Sequence, residues 1–158
     1  MLTREQFLPH EMRIVAALRM QGASDEQVIV RVKSENLFQY PTERMVANRA
    51  TVCLRRLDAM VPTDAVCAAR GIDPKTAVEA ASSLTRLMAS GTPTQADQAI
   101  FYSMICRYDI VRELVLVEVG ERLQNFDYAF TAVDLNAFMT RFTTEYPDAA
   151  RWTEATVK

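Results

Sequence analysis

Glycine is scarce in this chain: its 158 residues include four, at positions 22, 71, 91 and 120. That leaves little room for tight β-hairpins or for the glycine-rich loops that cradle phosphate groups. Histidine is scarcer still, with His10 alone. A single imidazole beside Pro9, in a first helical turn, is far more often a surface residue than a general base. No Ser-His-Asp or Cys-His pairing, no P-loop and no GxGxxG is present, which argues against an enzyme and against a nucleotide cofactor. One histidine and three scattered cysteines, Cys53, Cys67 and Cys106, do not supply a tetrahedral metal site. Their odd number and apolar surroundings point to reduced thiols in a cytoplasmic protein, not to a disulfide framework. The first residues, Met1 to Phe7, lack the apolar stretch of a signal peptide. The most hydrophobic segment, 99–119, carries Arg107, Asp109, Arg112, Glu113 and Glu118, too many charges for a bilayer span.

What is present reads as one compact domain over residues 1–158. Apolar residues are 49% of the chain and charged residues 24%, ordinary for a globular protein with a real core. The net charge is -2, unevenly spread. Residues 1–75 carry 11 Lys/Arg against 9 Asp/Glu, a net of +2, and residues 76–158 carry 7 against 11, a net of -4. Such a gradient would turn the first half towards a polyanion, although ordinary scatter produces gradients of this size too.

The punctuation is helical throughout, and predicts an all-α bundle of about seven to eight helices. Pro9 suits a first turn, and Gly22 a C-terminal stop. Ser24 with Gln27 has capping-box spacing for a second helix. Thr42 caps a long third helix, Glu43 to Met60. Thr63 caps a short helix ending at Gly71, and Asp73-Pro74 opens the next, which stops near Gly91. Thr94 with Asp97 is expected to open the longest helix, buried nearly all round and reaching Gln124. Residues 125–130 read as a loop before a helix capped by Thr131 and Asp134. Pro147 starts a short turn carrying Trp152. Thr153 looks like the cap of one more helix, as though the natural chain continued. No β-type alternation or internal repeat is seen.

Among possible chemistries, Glu118 and Glu121 share a helix face at i, i+3, but so do many solvated pairs. Phe101, Tyr102, Tyr108, Phe138, Phe142 and Trp152 stand among aliphatics at helical spacing and are expected to pack as core, since no basic runs interleave with them. The third helix says more. With Arg44 at 0° and about 100° per residue, Arg55 falls near 20°, Arg56 near 120° and Arg49 near 140°. Val46, Ala50, Cys53, Leu54 and Leu57 fall between about 180° and 280°. One face is therefore apolar and the other is expected to hold four arginines, with Asn48 and Thr51 beside them. Permanently charged, bidentate guanidiniums along an exposed helix suit phosphate binding. Arg31 and Lys33 on the preceding helix would widen the patch. Helix, turn and basic helix also echo a helix-turn-helix reader, although the connection 36–42 is longer than the usual tight turn. The competing reading is an amphipathic surface helix whose arginines pair with Glu35, Glu43 or Asp58.

Several stretches occur in an order that resembles the BrxA family of BREX bacteriophage-defence systems. They are Glu35-Asn36-Leu37-Phe38-Gln39-Tyr40-Pro41-Thr42, then Leu54-Arg55-Arg56-Leu57, then Gln98 to Tyr108 and Arg112-Glu113-Leu114. Phe130 to Phe138 and Trp152-Thr153-Glu154-Ala155-Thr156-Val157-Lys158 follow. The resemblance implies a cytoplasmic helical protein without known catalytic activity, a fold similar to the NusB antitermination factor, and an association with DNA ahead of RNA. It also implies other BREX proteins as partners. No family motif fixes Arg44, Arg49, Arg55 or Arg56 as contacts, so these assignments rest on the helical wheel. A nucleic-acid-binding accessory protein is the leading expectation, with a protein-protein adaptor in the defence complex as the alternative.

Overall fold

A computed structural model describes residues 6–146 and Ala149. Among them every regular element is helical and none is a strand, so the fold is all-α. The Trp152 and Thr153 features lie outside the described residues. The chain divides into two compact units, one of them Phe7–Arg107 and the other built mainly from the residues after it.

The first unit holds α1 (Pro9–Met20), α2 (Asp25–Ser34), α3 (Glu43–Ala59), α4 (Asp64–Arg70), α5 (Pro74–Ser90) and α6 (Pro93–Arg107). Local chemistry sets most of these boundaries. Pro9 occupies the first turn of α1, where its missing N–H costs nothing. Gly22 takes φ 85 in the turn after α1, a left-handed conformation that a side chain would resist. Ser24 and Gln27 form a reciprocal capping box on α2. The Thr42, Thr63 and Asp73 side chains accept from the Met45, Val66 and Thr76 N–H groups. Each such cap contributes about 1 kcal/mol.

The core of this unit forms around α1, whose Met12, Val15 and Ala16 are fully buried. It packs against α2, α3, α5 and α6. Each large aliphatic buried in this way contributes roughly 1.5–3 kcal/mol. The connection between α2 and α3 is long but closed on itself. Asn36 takes φ 44, its side-chain amide donates to the Tyr40 carbonyl (3.1 Å), and the Tyr40 N–H donates back to its Oδ1 (3.2 Å). Phe38 is buried in the core, and the Tyr40 hydroxyl donates to the buried Glu11 carboxylate.

Two expectations about the longest helix need correction. Its cap is Thr92, not Thr94: the Thr92 N–H donates to Gln95 Oε1 (3.0 Å) and the Gln95 N–H donates to Thr92 Oγ1 (3.3 Å). This arrangement leaves Pro93 at the first helical position, where proline fits. The helix also ends at Arg107, because Tyr108 is extended at φ -117, ψ 115. The buried face of α6 is narrow and built largely of small residues, Ala96, Ala99 and Ser103, with Ile100 and Met104. Small side chains let neighbouring helices approach closely, and the large rings lie off that face. Phe101 and Tyr102 are accordingly 42% and 45% exposed, against the expectation that they pack as core.

The second unit contains α7 (Asp109–Arg112), a π-helical segment (Glu113–Val119), α8 (Gly120–Gln124) and α9 (Ala132–Glu145). In the π-helical segment the ladder widens, so that the Gly120 N–H reaches the Val115 carbonyl five residues back. Val115, Val117 and Val119 crowd this stretch with β-branched side chains, which fit a regular α-turn less well. Phe138, Phe142 and Ala149 form a small core, with Ile110, Leu114, Met139 and Tyr146 against it. Thr131 and Asp134 form the expected capping box at the start of α9.

Candidate nucleic-acid interface

The third helix forms where the sequence places it, and it presents an exposed arginine face that is smaller than expected. Arg44 and Arg55 are exposed and have no acidic partner among the described residues. The three carboxylates that could have neutralised them are engaged elsewhere. Glu35 pairs with Arg31 (3.2 Å), Glu43 with Lys33 (3.3 Å) and Asp58 with Arg19 (3.2 Å). Asn48 is exposed and Thr51 half-buried, its hydroxyl donating to the Ala47 carbonyl. On the helical wheel Asn48 falls near 40° and Thr51 near 340°, so Arg44, Asn48, Thr51 and Arg55 make one stripe along three turns.

Arg56 does not belong to that surface. It is 0% exposed, and its guanidinium donates to the Phe7 carbonyl (3.1 Å). Its position near 120° is only about 60° from Cys53. Because α3 packs against α1, α2 and α6, the buried arc extends past the apolar residues and takes Arg56 with it. Arg49, near 140°, is half-buried and lies close enough to Tyr40 and Cys53 for its charge to act on both. The four-arginine face therefore reduces to Arg44 and Arg55, with Arg49 at its edge. Arg31 is exposed and also donates to Gln21 Oε1 (3.3 Å), while Lys33 is half-buried. Exposed pairs such as Arg31–Glu35 and Lys33–Glu43 contribute little and exchange readily with other anions.

The other groups considered from the sequence are occupied structurally or lie apart. His10 is exposed. Burial pushes the Cys53 thiol up to about 12, so it remains protonated and inert. Glu118 does not face Glu121 as a free dyad: it accepts from Arg141 (2.7 Å) and Arg122 (3.4 Å). Those bonds, led by the one from Arg141, hold its carboxyl below the usual range. Arg122 is a centre that sequence reasoning missed. It also pairs with Asp127 (2.9 Å) and Asp134 (2.7 Å) and donates to the Ala129 carbonyl (2.9 Å). The available signal was a lone arginine among Glu118, Glu121, Asp127 and Asp134.

These features define an all-α protein carrying an amphipathic helix with a basic outer stripe. Among the described residues, no helix is long and apolar enough to cross a membrane. The chain belongs to the BrxA family, whose model matches residues 1–158. That membership implies a part in BREX phage defence. No curated protein and no solved structure gives a significant match.

Proposed function

We propose that this chain is a non-enzymatic nucleic-acid-binding accessory of BREX defence, and that it grips phosphates with Arg44 and Arg55. The observation that carries the reading is that these two exposed guanidiniums, on one line of α3, have no acidic partner among the described residues, while the nearby carboxylates pair with other cations. Eleven residues of helix separate them by about 16 Å of rise. That length bridges a B-DNA major groove of about 12 Å, so both can reach phosphates flanking it. Duplex DNA is therefore the expected ligand. Asn48, between them, can donate to a sugar or phosphate oxygen. Arg31 and Lys33 add charge by exchanging weak surface pairs for phosphates. No metal or cofactor enters this mechanism. It predicts salt-sensitive binding with little sequence preference.

Fluorescence anisotropy with a labelled duplex at two salt concentrations tests it. The Arg44→Glu/Arg55→Glu variant is expected to bind several-fold more weakly, and most of all at low salt. Unchanged affinity in that variant would reject the stripe as the site.

A further inference from the structure

The unit that follows Tyr108 leaves an unusual amount of apolar surface uncovered. No residue from Tyr108 to Gln124 is fully buried, although Ile110, Val111, Leu114, Val115, Leu116, Val117 and Val119 make this stretch strongly apolar. The exposure is greatest around the end of α8 and the loop after it. Leu123 is 53% exposed, Phe126 78% and Tyr128 73%. Val119, Arg122, Leu123, Asp127, Tyr128 and Phe130 line a recess of about 100 Å³. A cavity of roughly 150 Å³ admits benzene, so this one has room for a single aliphatic side chain.

Hydrogen bonds order the backbone of the loop that carries Phe126 and Tyr128. The Asp127 N–H donates to the Arg122 carbonyl (2.9 Å), and the Ala129 N–H to Asp127 Oδ1 (3.1 Å). The Arg122 guanidinium donates to Asp127 Oδ2 and to the Ala129 carbonyl (both 2.9 Å). Phe126 itself is left-handed at φ 58, a conformation that costs a bulky side chain on the order of 1–3 kcal/mol. A strained backbone is thus retained while it points a ring at solvent. Rings carried on an already ordered loop spare a partner the cost of ordering that backbone, and aromatic side chains dominate interface energetics.

Charge decides the kind of partner. Residues 118–134 contain Glu118, Glu121, Asp127 and Asp134 against Arg122 alone, a net of -3, which the Arg141 guanidinium on Glu118 reduces to -2. Arg122 is shared among three carboxylates, and Glu121 is exposed on the adjoining turn. Nucleic acid would be repelled here, and a second copy would bring the same negative face to meet this one. We propose that Leu123, Phe126, Tyr128 and the recess beside them dock a protein segment with an aliphatic anchor flanked by Lys or Arg. This surface shares no residue with the α3 stripe, and either proposal can fail without the other.

The test is an array of overlapping peptides covering the other BREX proteins, probed with the full chain. Hits are then measured in solution by fluorescence polarisation. The expected hits are peptides with an apolar anchor between basic residues. A Leu123→Asp/Phe126→Ser/Tyr128→Ser variant is expected to lose about tenfold or more of their affinity. Circular dichroism and duplex binding are expected to be unchanged in this variant. Glu121→Lys, which leaves the apolar residues in place, is expected to weaken the same peptides less. Absence of any hit, hits that are acidic, or hits bound equally by the triple variant would overturn the proposal. So would concentration-dependent dimerisation that the triple variant abolishes, since the surface would then be covered by a second copy.

Discussion

The guanidinium of Arg56 donates to the backbone oxygen of Phe7 from a site with no solvent exposure. It links the end of α3 to the segment that enters α1. Arg56→Ala would leave that carbonyl without its donor and a void in the core. Unfolding free energy, measured by urea denaturation, is expected to fall by about 3 kcal/mol. A change below about 0.5 kcal/mol, the usual size for surface substitutions, would show that the residue is not held as described. DNA affinity per folded molecule is expected to stay the same.

Arg44 and Arg55 make the opposite prediction. Neutralising both with Arg44→Ala/Arg55→Ala is expected to leave the urea midpoint nearly unchanged. It should reduce the slope of log affinity against log salt by about 1.8, since each phosphate contact contributes roughly 0.9. A slope identical to that of the unaltered chain would mean that neither side chain touches phosphate.

The contrast between Arg55 and Arg56 shows how far the sequence can be read. Helix starts are local events, and Ser24, Thr63, Asp73 and Thr131 each fix one by accepting, through the side chain, the backbone N–H three residues on. Those were legible. A helical wheel gives each residue an angle, but not the number of neighbours the helix will have. With three helices against α3, residues at the margin are buried, and Arg56 is one of them. The break at Tyr108 was hidden for a related reason. A helix-compatible stretch with no proline or glycine at 105–112 gives the same signal whether it forms one helix or two. Arg122 was illegible because its partners Asp127 and Asp134 meet it only after the 125–131 loop turns back.

Acid should loosen the second unit around Arg122. The bond from Arg141 holds the Glu118 carboxyl below its ordinary 4.5, and bonds led by the Thr131 hydroxyl hold Asp134 below its ordinary 3.8. Folding thus favours the ionised forms. Their contribution is complete above the ordinary values and is lost as pH falls through the lowered ones. Hydrogen exchange over residues 118–134, corrected for intrinsic rates, is expected to speed up between roughly pH 6 and roughly pH 3. Equal protection at both would mean that these pairs do not secure the loop.

Cysteine labelling gives a check on the first unit. Cys53 and Cys67 are buried, and the Cys53 thiol is pushed up to about 12, while Cys106 is half-buried. Iodoacetamide on the native chain is expected to modify Cys106 first, and all three only after denaturation, as read by mass spectrometry. Prompt labelling of Cys53 in the native chain would contradict the packing of α3.

The widened helical segment at 113–119 has a consequence for α9. Ile110 and Leu114 lie at or before its first turn and meet the Phe138–Phe142 cluster, whereas Arg122 lies beyond it and holds Asp134 at the other end of the same helix. Closing this stretch into regular turns with all of its residues kept would rotate one anchor relative to the other by about 100°. α9 could then keep its oily grip or its ionic one, but not both, so one inserted residue gives this hairpin its alignment.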